Sequence, residues 1–585
     1  MDPTKLMSAF EVLSKKKTQS SKAQVQDAKP KKSKSLRQNN KLSNNALPVQ
    51  VEKLKAKEAH PQHNKVVKKK KVKKGKKNKD INLKAKSDEV NGEKVAEGRK
   101  KKSSMKEPTL RDEKVELKNL PDDYNDFDTD EELHSNPIKD SEQIFEWIVY
   151  PLKKNEFFEK IWENKPLHLK RSKPKYFSTL MSTPLLDQIL RDNFIFFTKN
   201  LDITSFSNDV RETHNPPGRA LPSIVWDYFS NGCSVRMLNP QTYIPKLHTV
   251  NASLQELFGC FVGANSYLTP PNSQGFAPHY DDIEAFILQI EGRKRWRLYT
   301  PRNKNEAFPR YSSPNFSDKD LGEPILDTIV QAGDLLYLPR GTIHQGDTFG
   351  LEEHSLHVTL SVYQKNSWAD YLEKLLPSAL QRAIENDSRF RKGLPFNYLN
   401  HVGSIYKKNS KDEVRQQFVS KTKSLVKILM EEYLNIDDAV DKMAKNHIHD
   451  FLPPVLDDNE ALCSVYEGAE KMIDSGIIIN RVEIEPDTFV RLTRRHCVRL
   501  VFEESVHRLY YSTENSKEYH EYDLQFLEID PEFIAAIQQL ITTFPKFNRV
   551  DDLPIKDIDK KIQIIKDLWE KGIVLTQNPL PIIED

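Results

Sequence analysis

The chain has 585 residues, 37% of them apolar, and carries 89 Lys and Arg against 85 Asp and Glu, a formal net charge of +4. The balance hides an asymmetry, because residues 1–100 hold 29 basic and 10 acidic residues, a net of +19, which leaves −15 for residues 101–585. No stretch approaches the roughly 18 consecutive apolar residues of a membrane span and the first residues show no apolar h-region, so neither a membrane protein nor a Sec-secreted one is expected.

Residues 1–100 contain one aromatic, Phe10, among Lys, Ser, Asn and Gln. Such a segment cannot bury enough apolar surface to offset chain entropy, which predicts a disordered basic tail. Within it, Lys68–Lys79 puts nine lysines in twelve residues. That density suits polyanion binding by counterion release or nuclear import receptors; the plainer reading is a solvated solubility tail. The acidic stretch Asp122–Asp128 follows, as a linker or as a segment folding back on the lysines.

Foldable composition begins near Ile144. Phe145, Trp147, Ile148, Phe157, Phe158, Ile161 and Trp162 recur at helical spacing, and Pro166–Leu169 reads as a strand. Residues 230–365 alternate short apolar runs, such as Gly232–Leu238 and Asp334–Leu338, with Gly, Pro and Asn, the texture of an all-β barrel or sandwich. Beyond Trp368, Tyr371, Leu372, Leu375, Leu376 and Leu380, then Phe418, Leu425, Val426, Ile428, Leu429 and Tyr433, form helical stripes. From about Asp450 the strand-like runs Cys497–Phe502 and Arg508–Ser512 join helices at Glu532–Leu540 and Ile558–Trp569 in a small winged-helix-like module. The expected class is α+β multidomain: a tail and linker over 1–135, a barrel with a helical lead-in over 136–367, a helical region over 368–445 and a winged-helix-like domain over 446–585. Four cysteines without a CxxC pair fit a reducing compartment and exclude a disulfide scaffold or a Cys-rich zinc module.

The chemistry concentrates in the β-rich block. His279-Tyr280-Asp281 places an imidazole and a carboxylate on one face of a strand or its edge, with Tyr280 pointing away. Gly333–His344 reads as a strand, a Pro/Gly turn and then a second imidazole, His344. Two imidazoles and one carboxylate on one face of an octahedral ion leave three positions open, the donor set of non-haem Fe(II) oxygenases. Those positions suit bidentate 2-oxoglutarate and O2. Lys294, in the next strand-like run Lys294–Tyr299, offers a cation for the remote carboxylate of such an oxoacid. An HxD pair alone is a common accident, but four parts inside one β-rich block make coincidence a poor account. A zinc hydrolase fits less well, since catalytic zinc usually keeps a tetrahedral set and needs a nearby general base; Asp282 and Glu284 are available, but nothing singles them out.

His279-Tyr280-Asp281, His344, Gly292-Arg293-Lys294-Arg295-Trp296 and Leu338-Pro339-Arg340-Gly341 together resemble the JmjC-domain 2-oxoglutarate oxygenases. Phe157–Pro166, Gly232–Gln241 and Asn366–Asp370 narrow that resemblance to the ribosomal oxygenases. Phe451–Leu456 and Arg491–Arg495 resemble the same family's C-terminal domain, so the likeness runs from about Phe145 to near the C-terminus and leaves out the basic tail.

The resemblance implies a double-stranded β-helix (cupin/JmjC jelly-roll) barrel, Fe(II) on His279, Asp281 and His344, and 2-oxoglutarate and O2 as cosubstrates, with Lys294 pairing the distal carboxylate. It implies that Asn265 and Tyr267 line the same pocket and that Arg236, Asn315 and Ser361 contact a peptide. Thr359, on the same face, replaces Ser361 if the register differs. The activity implied is that of a protein oxygenase hydroxylating a histidine of a ribosomal protein, demethylating methyl-lysines of histone H3, or both. That would give the chain a role in transcription regulation in the nucleus, including the nucleolus. A catalytically inactive JmjC-like nuclear scaffold or corepressor is the competing reading, which the intact ligand set disfavours. Trp368 to about Tyr433 resembles the family's dimerisation region and implies a homodimer, against an ordinary helical subdomain packed on the barrel. Glu532–Leu540 carries no Lys or Arg, so DNA reading is not expected of the C-terminal block; nucleic-acid contact is expected of the tail, non-specific and salt-sensitive.

Overall fold

The computed structural model describes residues 135–473, 476–518 and 521–583. The lysine-rich tail and the acidic stretch Asp122–Asp128 lie outside them.

The Asn136 side chain accepts a hydrogen bond from Lys139 N at 3.3 Å, and Pro137 opens helix α1 (Pro137–Val149). A capped start with Pro in the first turn favours a helix at that point. The aromatics spaced helically in the sequence meet across α1 and α2 (Lys154–Lys160): Phe145 lies 5.3 Å from Phe157 and 5.2 Å from Phe158. Both Phe145 and Phe157 also reach Phe286 of the barrel, at 6.0 and 5.7 Å. Buried Arg171 ties this lead-in down, its guanidinium donating to Ile148 O at 2.8 Å, Tyr150 O at 2.7 Å and Gly333 O at 3.2 Å.

The barrel is built from β1 (Leu167–Leu169), β2 (Leu201–Ser207), β3 (Val210–Thr213), β4 (Ser234–Leu238), β5 (Gly263–Thr269), β6 (Glu284–Tyr299), β7 (Leu326–Gln331), β8 (Leu335–Leu338), β9 (Ile343–Asp347) and β10 (Ser355–Val362). The strands run antiparallel in the order β1-β8-β6-β10-β5-β4-β2-β3, and β7 and β9 also pair with β6. Ile283–Ile290 and Lys294–Tyr299 read as separate runs in the sequence, yet the structure joins them into the single 16-residue strand β6. Its first half pairs with β8 and β10, its second with β7 and β9, so one strand serves both layers of the jelly roll. The crossing sits at Gly292, where φ is +60° and an added Cβ would lie 1.8 Å from His354 O, so only glycine fits. Ala285, Ile287, Leu336 and Leu338 of one layer close on Trp296, Leu298 and Val330 of the other. Phe286 faces the helices instead, so β6 is covered on both faces and its apolar run is nearly unbroken.

Helix α3 (Pro245–Phe258) packs beside α1, and beyond the barrel come α4 (Trp368–Asn386), α5 (Glu413–Glu432) and α6 (Ile436–Asp450). Ser367 and Asp370 form a capping box at the start of α4. Small buried residues, Ala379 and Ala383 on α4 and Ala439 on α6, let those helices approach closely, and Lys442 Nζ donates to Ser378 Oγ across them at 2.7 Å.

The C-terminal part is a winged-helix domain. Strand β11 (Phe489–Leu492) pairs with β15 (Asn548–Arg549) and β16 (Val574–Thr576), while β12 (Val498–Glu503), β13 (Val506–Tyr511) and β14 (Gln525–Ile529) form a second sheet. Helices α7 (Ile534–Thr543) and α8 (Ile558–Glu570) close its core through Ile537, Leu540, Ile565 and Leu568. The domain is bolted to α3 by His496, whose Nδ1 lies 2.5 Å from Glu256 Oε2.

Candidate active site

His279 and Asp281 lie at the entry to β6 rather than inside it, and His344 is the second residue of β9. Reciprocal backbone bonds, His279 N to His344 O at 3.2 Å and His344 N to His279 O at 2.8 Å, hold the two histidines opposite each other. The Pro339–Gly341 turn that delivers His344 is locked to the same place. Arg340 N donates to Glu284 Oε1 at 3.1 Å, and Gly341 N donates to Asp281 O at 3.1 Å.

Each imidazole is fixed from behind. His279 Nδ1 lies 2.8 Å from Ala277 O, and His344 Nδ1 lies 3.0 Å from Thr342 O. A carbonyl only accepts, so Nδ1 carries the proton and Nε2 keeps its lone pair, the arrangement that orients a metal-binding histidine. Both Nε2 atoms face Asp281, each 3.7 Å from a carboxylate oxygen and so outside hydrogen-bonding range. Among the described residues, His279, Asp281 and His344 form the one group of three or more such side chains able to hold a metal ion. Burial opposes the charge on Asp281, but the imidazoles of His279 and His344 and the Arg236 guanidinium overcome it and hold the carboxyl below its usual value. Burial, reinforced by His279, lowers His344 to about 4, which keeps it a neutral lone-pair donor at pH 7.

The same cavity, of about 710 Å³, is lined by all nine residues expected at the site: Arg236, Asn265, Tyr267, His279, Asp281, Lys294, Asn315, His344 and Ser361. Lys294 is 4% exposed, and its Nζ donates to Thr269 Oγ1 at 2.9 Å. The carboxylate that acts on it electrostatically, Asp347, is held 2.7 Å from Arg297. Burial lowers the ammonium to about 8 despite Asp347. Gly346 makes room for it, since a Cβ there would stand 3.1 Å from Lys294 Cε and 3.2 Å from Trp296 Cδ2. A buried cation without an anion is costly, and the distal carboxylate of a dicarboxylic oxoacid fits that need. Fe(II) would be held by His279, Asp281 and His344, and 2-oxoglutarate would be paired by Lys294.

Asn265 and Tyr267 lie on β5, opposite Thr359 and His357 of β10. Thr359 and Ser361 both face the cavity, alternating with buried Leu360, so the register leaves both side chains available. Arg236 pairs with Asp202 and lies beside Tyr267, while Asn315 sits exposed on the rim.

The sequence reading missed two residues lining the cavity, His357 and Arg211, and Thr269, which holds Lys294 from behind. His357 is 2% exposed and stacks on Tyr267 at 4.8 Å, and its Nδ1 has no hydrogen-bond partner among the described residues. Burial, then Lys294 and His344, push its pKa well below the ordinary range. The period-two face shared with Thr359 and Ser361 would have pointed to it. Thr269 and Arg211 sit in no motif.

A jelly-roll barrel with this His-Asp-His set and a buried lysine in one cavity defines the class of JmjC-type Fe(II)- and 2-oxoglutarate-dependent oxygenases. Residues 236–371 match the family described as the JmjC domain, and residues 452–580 match the C-terminal winged helix domain of ribosomal oxygenase 1. Over 438 residues the chain is 48% identical to ribosomal oxygenase 1 of Gallus gallus, covering 75% of this chain and 72% of that protein. It is 49% identical over 435 residues to the bifunctional lysine-specific demethylase and histidyl-hydroxylase NO66 of Culex quinquefasciatus, covering 74% of this chain and 66% of that one. The solved structure of YcfD, a ribosomal oxygenase from Escherichia coli, in complex with cobalt and 2-oxoglutarate is more distant, at 13% identity and a TM-score of 0.39, covering 73% and 99% of the two chains. The chain belongs to the ribosomal oxygenase 1/NO66 family.

Proposed function

We propose that this chain hydroxylates a histidine of a ribosomal protein, with methylated lysines of histone H3 as a second substrate class. The observation that carries the reading is the meeting, in one cavity, of the His279-Asp281-His344 set with the buried, anion-seeking Lys294. The relatives named ribosomal oxygenase 1 and histidyl-hydroxylase NO66 support the choice of substrate.

When bound, the metal and 2-oxoglutarate supply the oxidation of one C–H bond by O2 to C–OH, with succinate and CO2 as the other products. Lys294 holds the remote carboxylate and so fixes the oxoacid's orientation. Trp296, Ile287 and Leu338 line the cavity with apolar surface that keeps bulk water from the reacting centre. Arg236, Asn315 and Ser361 hold the peptide so that a single carbon is presented. A hydroxylated histidine carbon is stable, whereas a hydroxylated N-methyl carbon falls apart to formaldehyde and demethylated lysine. Presentation therefore decides the product.

The quaternary state proposed is a homodimer through the helical region. Leu372, Leu376, Leu380 and Ile384 recur every fourth residue on α4 and remain exposed, a continuous apolar stripe of the kind that marks an interface. The lysine-rich tail motivates a nuclear location, including the nucleolus, and non-specific nucleic-acid contact. The direct test of the enzyme is succinate release from 2-oxoglutarate in the presence of a histidine peptide. Asp281→Ala, which removes the one carboxylate ligand, is expected to abolish it; release that persists in the variant would contradict the assignment.

A further inference from the structure

Arg211, on β3, lines the catalytic cavity. Its guanidinium lies 4.4 Å from the centre of the Phe276 ring, and that of Arg236 lies 5.6 Å from the same ring. The two arginines differ in how they are satisfied. Arg236 pairs with Asp202, whose other carboxylate oxygen already accepts from Asn215 Nδ2 at 2.7 Å. Arg211 is stacked but makes neither a hydrogen bond nor an ion pair with any described residue, and its Nε, like that of Arg236, is buried without a partner. Three further acidic side chains of the cavity are committed elsewhere. Asp282 accepts from Ser312 Oγ at 2.7 Å and Gln364 Nε2 at 3.1 Å, and Asp370 and Glu373 clasp Arg310 at 2.6 and 2.7 Å. Two guanidiniums thus share one aromatic shelf, with Asp202 bound to Arg236 and the Asp281 carboxylate acting on both at longer range. A planar donor held there without an acceptor is a site waiting for one.

We propose that Arg211 reads the substrate: its guanidinium takes a hydrogen-bond acceptor of the target residue, and its charge, which no ion pair offsets, excludes a methylated ammonium. The inference rests on the protein-oxygenase reading above and names the side chain that the site prefers. A neutral imidazole offers a ring nitrogen as acceptor and brings no charge. A trimethylammonium offers no acceptor and meets the unpaired charge of Arg211 in a confined space, so attraction and repulsion discriminate in the same direction. The cavity is accordingly built for histidine, and methyl-lysine is the poorer occupant.

The test uses the full chain with Fe(II), 2-oxoglutarate and O2, a histidine peptide from a ribosomal protein and a trimethyl-lysine H3 peptide. KM is measured for both peptides and for 2-oxoglutarate, and metal-free peptide affinity is measured by fluorescence anisotropy. Arg211→Gln is expected to raise the histidine-peptide KM and weaken anisotropy binding by about tenfold. It should leave the KM for 2-oxoglutarate unchanged and narrow the gap between the two peptides. Arg211→Lys, which keeps the charge without the planar fork, is expected to lose affinity while still rejecting the trimethylated peptide. An unchanged KM for 2-oxoglutarate shows that the variants are folded at the site. Intact histidine hydroxylation by the unaltered chain, with Arg211→Gln binding the histidine peptide as well as before, overturns this inference alone. An unaltered chain that demethylates the H3 peptide and leaves the histidine peptide untouched overturns it together with the reading beneath it.

Discussion

Lys294 spends its charge where water cannot reach it, 4% exposed with a threonine hydroxyl as its hydrogen-bond partner. Burial of an uncompensated ammonium weakens a fold, so a residue kept in that state serves the ligand rather than the scaffold. Lys294→Met is expected to abolish 2-oxoglutarate binding in calorimetry while raising the melting temperature by a few degrees, about 1 kcal/mol. The pH dependence has a definite sign. The folded ammonium titrates near 8, below its ordinary value of 10.5, so the cost of burying its charge is fully present below about pH 8 and fades as pH rises toward 10.5. Affinity for the dicarboxylate runs the other way. It needs the charged form and is expected to fall about fivefold between pH 8 and pH 9. A flat binding profile across that interval would contradict Lys294 as the anion partner.

At the scale of elements, β6 does most to build the site: its entry carries His279 and Asp281, its second half carries Lys294, and Gly292 lets one strand pass between the two layers. Gly292→Ala is expected to destabilise the fold by about 2–4 kcal/mol, read from urea denaturation, because the new Cβ collides with His354 O at a positive φ. A loss under about 0.5 kcal/mol would show that the crossing tolerates a side chain. The local parts of this architecture were legible in the chain. The HxD spacing, the turn before His344 and the helical run of aromatics are short-range patterns whose geometry follows from strand and helix periodicity. What stayed hidden depended on register between distant strands. That β6 is one strand follows from its pairing with four others, and the nearness of Thr269 to Lys294 or of His357 to Tyr267 is set by neighbours across the sheet. Burial of β6 on both faces also erased the alternation that would have marked which of its side chains point inward.

For the whole molecule, barrel, helical region and winged-helix domain are joined by polar links, among them Arg310 with Asp370, Asp441 with Arg499, and Glu256 with His496. No helix among the described residues is long and apolar enough to cross a membrane, and the apolar stripe on α4 is exposed, the face proposed above to meet a partner. With a second copy as that partner, Leu376→Glu combined with Leu380→Glu is expected to convert a dimer into a monomer in light scattering; an unchanged mass would place the interface elsewhere. The most direct measurement is tandem mass spectrometry of a histidine-containing ribosomal-protein peptide after incubation with the chain, Fe(II), 2-oxoglutarate and O2. The expected result is a gain of one oxygen located on the histidine, absent with Asp281→Ala. An unmodified histidine with methyl groups lost from a trimethylated H3 peptide run in parallel, or no change in either peptide, would contradict histidyl hydroxylation as the function of this cavity.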